Sequence, residues 1–224
     1  MLHKLLTLAI LSTFCSLTLA TDNAAKMKEV DALRLQGNSV KTITPIFSQL
    51  VMFSFPKGFA PASENAKGGH YIQESVLQGE SIKEWSQIIT ITGAKGLAAN
   101  PNLTPTRFAK MMAGAFKRAC PNSFMTTDLG EIRIDNHEAF AAVTSCGVSA
   151  SSVEPRSESM LLIVIEGQND YYTIQWAERG DATDTPITFD NAKWMDRLKQ
   201  LMPISLCPIV PGEQAPYPSC ANRT

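Results

Sequence analysis

The sequence is poor in the residues on which most hydrolytic and metal chemistry depends. It has three histidines in 224 residues, and one of them, His3, lies in the apolar N-terminal segment. None of the five cysteines forms a C-x-x-C pair, and no G-x-S-x-G motif marks a serine nucleophile. These gaps argue against a zinc enzyme, a thioredoxin-like redox centre and a serine hydrolase, and we expect no cofactor and no metal.

An excess of charge of either sign is missing as well. The chain has 20 Lys and Arg residues and 21 Asp and Glu residues, which gives a net charge of −1 at pH 7. Nucleic-acid-binding domains usually carry a clear basic excess, so this balance argues against a nucleic-acid partner. After the N-terminal segment the longest strongly apolar stretch, residues 160–165, is far too short to span a bilayer.

Residues 1–20 have the pattern of a cleaved secretory signal peptide. Lys4 gives the start a positive charge, residues 5–19 are apolar apart from small hydroxyl side chains, and residues 18–20 end in small side chains. The apolar part is too short to span a bilayer comfortably. We therefore expect cleavage near Thr21 and a bacterial protein that is periplasmic or secreted, with no transmembrane segment after cleavage.

Four cysteines remain once Cys15 leaves with the signal peptide, and an even number in an oxidising compartment indicates two disulfides. Four cysteines allow three pairings. We favour Cys120–Cys146 and Cys207–Cys220, because each of these pairings closes a compact local loop. All four thiols are then unavailable for catalysis and for metal binding.

The pattern of apolar residues predicts six strands and three helices. Alternation and β-branched runs between turn residues indicate strands at residues 49–56, 70–77, 124–134, 139–148, 160–166 and 171–177. Helical periodicity indicates helices at residues 81–89, 105–120 and 189–202. The first helix begins with a capping box from Ser81 to Glu84. The second begins at Pro105 and carries an apolar stripe formed by Phe108, Met111, Met112, Ala115, Phe116 and Ala119.

This order of elements indicates an α+β fold, in which helices cover a mostly antiparallel sheet of about six strands. We expect four parts along the chain. They are the signal peptide 1–20, a polar and partly helical segment 21–48, a single α+β domain 49–202, and a tail 203–224 that is rich in proline and cysteine.

Several short stretches of the predicted domain form a characteristic series. They are Phe53-Ser54-Phe55-Pro56-Lys57-Gly58-Phe59, then Tyr71-Ile72-Gln73-Glu74, then a helix with Trp85, and a closing helix with Trp194. Over about residues 49–202 this series resembles the PsbP-like family of small extracytoplasmic proteins. The resemblance implies an α/β/α sandwich around an antiparallel sheet, and a non-catalytic accessory role.

Basic side chains gather on the predicted helix 105–120. Arg107, Lys110 and Lys117 fall together on the side opposite the apolar stripe, and Arg118 follows in the last turn. Such a face suits an anionic lipid head group or an acidic protein partner. The alternative is a solvated helix face, on which Lys117 and Arg118 complement the negative end of the helix dipole.

The other candidate site residues have ordinary structural explanations. We expect His70 and His137 at solvent-facing edges and the tryptophans and tyrosines in the core. Asp190 is better placed in the first turn of the last helix than in a calcium site with Asp181 and Asp184, which lack the spacing of such a loop.

Two functions follow from these observations. The first is an exported, non-enzymatic accessory or binding protein of the envelope, whose partner is another envelope protein. The alternative is an extracytoplasmic small-ligand carrier or a hydrolase whose site has no sequence signature. A pocket with convergent polar groups and perturbed pKa values would favour the alternative.

Overall fold

The computed structural model describes residues 40–148 and 154–223. The expected signal peptide and residues 21–39 of the expected N-terminal segment lie outside this part of the chain. The strands are β1 (Lys41–Ile46), β2 (Gln49–Ser54), β3 (Phe59–Lys67), β4 (His70–Leu77), β5 (Gln87–Ala94), β6 (Phe124–Ile134), β7 (His137–Cys146), β8 (Arg156–Glu166), β9 (Tyr171–Asp181) and β10 (Ser205–Pro208). The helices are α1 (Pro105–Ala119), α2 (Asn191–Leu201) and the one-turn α3 (Pro218–Ala221), with a short 3₁₀ turn at Leu97–Ala99.

Seven strands form one antiparallel sheet in the order β3-β4-β5-β9-β8-β7-β6. Strands β3, β4 and β5 follow one another as antiparallel neighbours, and so do strands β6, β7, β8 and β9. Strand β5 pairs with β9, which joins these two series into one sheet. The predicted α+β fold with a mostly antiparallel sheet is confirmed. The sheet has more strands than predicted because the edge strand β3 is polar and lacks apolar alternation, and because β5 stands where a helix is predicted.

The predicted helix at residues 81–89 is wrong. The expected cap is present, since the Glu84 N–H donates to Ser81 Oγ at 3.2 Å, but the chain makes only a turn there and enters β5 at Gln87. The reason is the β-branched run at residues 88–92, which lies in the middle of the sheet and pairs with both β4 and β9. Trp85, expected inside the helix, lies instead beneath the guanidinium of Arg179, 3.7 Å from its centre.

Alternate residues of the main sheet point to opposite faces and build two separate cores. On one face, residues such as Ile163 pack with β2 and with Trp194 of α2. On the other face, residues such as Leu162 pack against α1 around Ala109. The main sheet is therefore the middle layer of a sandwich, between α1 on one side and α2 with a small sheet on the other.

The small sheet has the order β1-β2-β10, and every residue of its central strand β2 is buried. Strands β1 and β10 lie on either side of the 49–202 range expected for the domain, and both pair with β2. Cys207 of β10 and Cys220 of α3 are buried against Leu50 and Met52. The C-terminal tail thus contributes a strand and part of a core.

Both predicted disulfides, Cys120–Cys146 and Cys207–Cys220, are present, each with Cα atoms 5.7 Å apart. Two disulfides are typical of proteins in oxidising, extracytoplasmic compartments. Among the residues that the structure describes, no helix combines the length and apolar character needed to cross a bilayer.

Candidate functional site

Helix α1 is capped at its start and linked to the sheet at its end. At its start, Thr104 Oγ1 accepts the Arg107 N–H at 3.2 Å, and Pro105 occupies the first helical position. At its end, Cys120 follows the last helical residue, and its disulfide with Cys146 joins the helix to β7. The 15-residue helix is therefore held at a set distance from the strands beneath it.

Tyr171 of β9 strengthens the attachment at the helix start. Its ring stacks on Phe108 with the ring centroids 5.3 Å apart. Its hydroxyl donates to the Leu103 carbonyl and lies 2.9 Å from Glu166 Oε2. Burial, and then the hydrogen bond and charge of Glu166, raise the pKa of Tyr171 above its ordinary value, so the hydroxyl keeps its proton and remains a donor.

The face that α1 buries is rotated from the predicted apolar stripe, of which Phe108, Met112 and Phe116 still pack against the core. Ala109 and Ala113 are buried, whereas Met111 is 66 % exposed and Ala115 is exposed as well. The helix rests on its small side chains because these allow a close approach to the sheet. This rotation brings the basic residues to the flank of the helix, next to the edge strand β6, rather than opposite the sheet.

A β-bulge in the edge strand β6 decides which of its side chains face α1. The pairing with β7 shifts between Asp128 and Gly130, which has a φ of 110°. After the shift, Glu131 lies opposite Phe140, a residue of the core beneath α1, and Arg133 follows on the same face. The bulge therefore directs charged side chains towards α1, while the alternate isoleucines of the strand pack in the other core.

A narrow cavity of about 220 Å³ lies between α1 and β6. Three small residues, Ala109, Ala113 and Gly114, form its helix wall and leave the space unfilled. Aromatic and small apolar side chains form the floor, namely Phe124, Phe140 and Ala142. Polar side chains form the rim, namely Lys110, Lys117, Thr126 and Asp128.

A wider cavity of about 590 Å³ adjoins the narrow one at the N-terminal part of α1. Its polar lining combines Arg107 and Lys110 of the helix with Glu131, Arg133 and Glu138 of the sheet. Lys110 lines both cavities, so they adjoin at this residue. We name the two cavities together the helix–strand groove. Since β6 is the last strand of the sheet, the groove opens sideways to solvent.

The charges of the helix–strand groove are not neutralised by contact with one another. The helix wall carries Arg107, Lys110 and Lys117, and the strands carry Arg133 together with three carboxylates, those of Asp128, Glu131 and Glu138. Arg107 and Arg133 donate to backbone carbonyls, at 2.6 and 2.9 Å. Within the described residues, no ion pair shorter than 4.0 Å joins any of these side chains.

The structure thus brings three of the four basic residues singled out in the sequence, Arg107, Lys110 and Lys117, into one groove. Arg118 is exposed, and its guanidinium folds back beside Gly114, where a β-carbon would lie 3.5 Å from Nη1. The sequence reasoning missed the carboxylates of β6 and β7 and the small helix residues. Only the small helix residues had a signal in the sequence, namely the Ala and Gly at positions 109, 113 and 114 between long side chains.

The two carboxylates with lowered pKa values lie outside the groove, in clusters that hold the fold together. Asp170 is buried and accepts hydrogen bonds from Ser48, Gly96 and Tyr172. Burial raises its pKa, but these hydrogen bonds outweigh the burial and the net shift is downward. Glu178 accepts from Lys193 at the start of α2 and, at 2.6 Å, from Arg197.

Neither remaining histidine lies in the groove lining. His70 is exposed at the start of β4. His137 is half-buried, with Nδ1 2.9 Å from the Glu166 carbonyl oxygen and Nε2 3.3 Å from Gln49 Nε2, so it links β7 to the small sheet. Asp190 is the N-cap of α2 rather than a residue of its first turn, and its carboxylate accepts the Lys193 N–H. The described part of the chain contains no group of three His, Cys, Asp or Glu residues arranged to hold a metal ion.

Comparisons with known proteins give only distant structural similarity. No protein-family model matches the chain, and no curated protein matches it. A Bacteroides thetaiotaomicron crystal structure is 11% identical with a TM-score of 0.41, over 79% of this chain. The chain spans only 50% of that protein.

The Saccharomyces cerevisiae Ran-binding protein Mog1p is 9% identical with a TM-score of 0.40, over 74% of this chain and 86% of its own. A point mutant of the protein Mog1 is 10% identical with a TM-score of 0.41, over 71% of this chain and 84% of its own. Similarity at this level does not bear on function.

Proposed function

We propose that this chain is an exported, non-enzymatic binding protein of the bacterial cell envelope, and that it holds a protein partner in the helix–strand groove. The signal-peptide pattern of residues 1–20 and the two disulfides support export to the periplasm or beyond. The PsbP-like resemblance of residues 49–202 supports an accessory role rather than a catalytic one.

The observation that carries the proposal is an apolar cavity bordered by charged side chains that have no ion-pair partner among the described residues. A charged side chain that faces a cavity and lacks a counter-charge is available to a charged partner, and the apolar floor provides a place for a buried anchor. The disulfide at the end of α1 and the stacked Tyr171 near its start keep the cavity preformed, which limits the entropy lost on binding.

The size of the narrow cavity favours a protein partner over a small ligand. Pockets that enclose small molecules usually have volumes of about 300–1,000 Å³ and bury most of the ligand. The narrow cavity, at about 220 Å³, lies below this range and is open at the sheet edge. It is better suited to one side chain of a larger partner.

A second candidate, a small-ligand carrier, is favoured by the wider cavity, whose volume of about 590 Å³ lies inside that range. Its lining carries charges of both signs, so the ligand would be a polar zwitterion.

Photo-cross-linking in the exporting cell separates the two candidates. A photoreactive amino acid at Thr126, on the rim of the narrow cavity, is compared with the same amino acid at the exposed Thr188. We expect a protein adduct several times more abundant from position 126, and a loss of this adduct when Lys117→Glu is added. A small-molecule adduct alone would support the carrier, and equal yields at both positions would contradict a groove partner.

A further inference from the structure

We propose that the segment held in the narrow cavity carries an aromatic or large aliphatic side chain flanked by carboxylates. The side chain enters between α1 and β6, and the carboxylates pair with Lys110 and Lys117. This inference rests on the proposed function and specifies the partner chemistry that the groove accepts.

The anchor is identified by the volume and the lining of the cavity. An apolar protein cavity of about 150 Å³ is large enough to bind benzene. The narrow cavity is larger, at about 220 Å³, and its floor consists of Phe124, Phe140 and Ala142. A phenyl or branched aliphatic group therefore fits it, and the opening at the sheet edge lets that group stay attached to a polypeptide.

The flanking carboxylates are identified by the two rim lysines. Lys110 and Lys117 are seven residues apart on α1, so their backbones are separated by about 10 Å along the helix axis, on either side of the cavity. In an extended segment, residues two positions before and after an anchor point to the same side and lie about 13 Å apart. Acidic residues at these positions come within reach of the two flexible lysine side chains.

Asp128 fixes the side of the cavity on which the partner's acidic residues lie. Its carboxylate stands on the rim that belongs to β6, facing the lysines of the helix wall. A partner carboxylate next to Asp128 would be repelled, whereas the same group at the helix wall meets a lysine that forms no ion pair with any residue that the structure describes. The cavity therefore favours the pattern acidic-x-apolar-x-acidic, with the acidic side chains turned towards α1.

Selection from a random nine-residue peptide library on the mature protein tests this inference. Gly114→Leu fills the cavity from the helix wall, and Gly114→Ala is the matched control, which adds one methyl group. Both should fold, because a β-carbon at position 114 meets only Arg118 Nη1 at an ordinary 3.5 Å, and leucine and alanine favour helices over glycine.

We expect the selected peptides to share a large apolar residue with Asp or Glu two positions away on at least one side. Their dissociation constants should rise about thirtyfold on Gly114→Leu, the loss typical of a buried anchor, and change less than threefold on Gly114→Ala. Lys117→Glu should weaken binding about tenfold or more, and Lys199→Glu, in the last turn of α2, should leave it unchanged.

Peptides that need the open cavity but lack acidic residues would overturn this inference and leave the proposed function intact. Peptides whose binding is the same on Gly114→Leu and on wild type would overturn it as well. The proposed function fails separately, through equal cross-linking yields at Thr126 and Thr188.

Discussion

The Cys120–Cys146 disulfide is expected to contribute a large part of the stability of the main domain. The two cysteines are 26 residues apart, so the bond closes a loop that begins just after α1 and contains all of β6 and β7. Constraining a loop of this length in the unfolded chain is worth roughly 3.5 kcal/mol. Since small domains are stable by about 5–15 kcal/mol, the variant should remain folded but much less stable.

The test replaces both cysteines by alanine, which avoids a free thiol, and measures the free energy of unfolding in urea without reductant. We expect a decrease of roughly 3–4 kcal/mol. The Cys207/Cys220 pair is the matched control, because its two cysteines are only 13 residues apart. Its bond should contribute about 0.5 kcal/mol less to the free energy of unfolding. An unchanged free energy of unfolding in the Cys120/Cys146 variant would refute this reasoning.

Two further predictions concern the carboxylates with lowered pKa values. Glu178→Gln should lower the free energy of unfolding by roughly 2–3 kcal/mol at pH 7, because Arg197, only 8% exposed, loses its counter-charge. Burial raises the pKa of Glu178, but Lys193 and Arg197 outweigh it, and the net shift is below the ordinary pKa of a glutamate. The advantage of the wild type should therefore be complete above that ordinary pKa and disappear as the pH falls through the lowered, folded-state pKa. Asp170→Asn should also cost roughly 2–3 kcal/mol at pH 7, with the same direction of pH dependence, because its hydrogen-bonded carboxylate has a lowered pKa. Urea unfolding at several pH values checks both, and a difference from wild type that does not vary with pH would contradict them.

Local signals were sufficient to predict much of the fold. Strands β4 and β6 have the predicted bounds, 70–77 and 124–134, because alternating residues there end at clear turns. The turn at residues 135–136 and helix α2 also match. In each of these elements the local preference of the residues agrees with their place in the fold.

Strand β5 could not be predicted because its residues carry two conflicting signals. The cap at Ser81 indicates a helix, and the run 88–92 indicates a strand. A cap satisfies only the first N–H groups, whereas a strand in the middle of the sheet gains pairing on both sides. Strand β3 was missed for a different reason, since it lies at an edge and is largely exposed.

The groove was only half predictable from the sequence. The basic residues of α1 are visible in the sequence, but their position beside β6 depends on the helix rotation, which packing of Ala109 and Ala113 decides. The facing carboxylates depend on the bulge at Asp128, which no local pattern indicated. Both features arise from contacts between segments that are distant in sequence.

The most direct test of a groove that binds a partner compares lysine reactivity in the cell envelope with that of the purified protein. An amine-acylating reagent is applied to both, and mass spectrometry gives the labelling rates of Lys110, Lys117 and the exposed control Lys199. We predict that Lys110 and Lys117 react several times more slowly in the cell, while Lys199 reacts equally in both samples. Equal rates for all three lysines in the two samples would contradict the account.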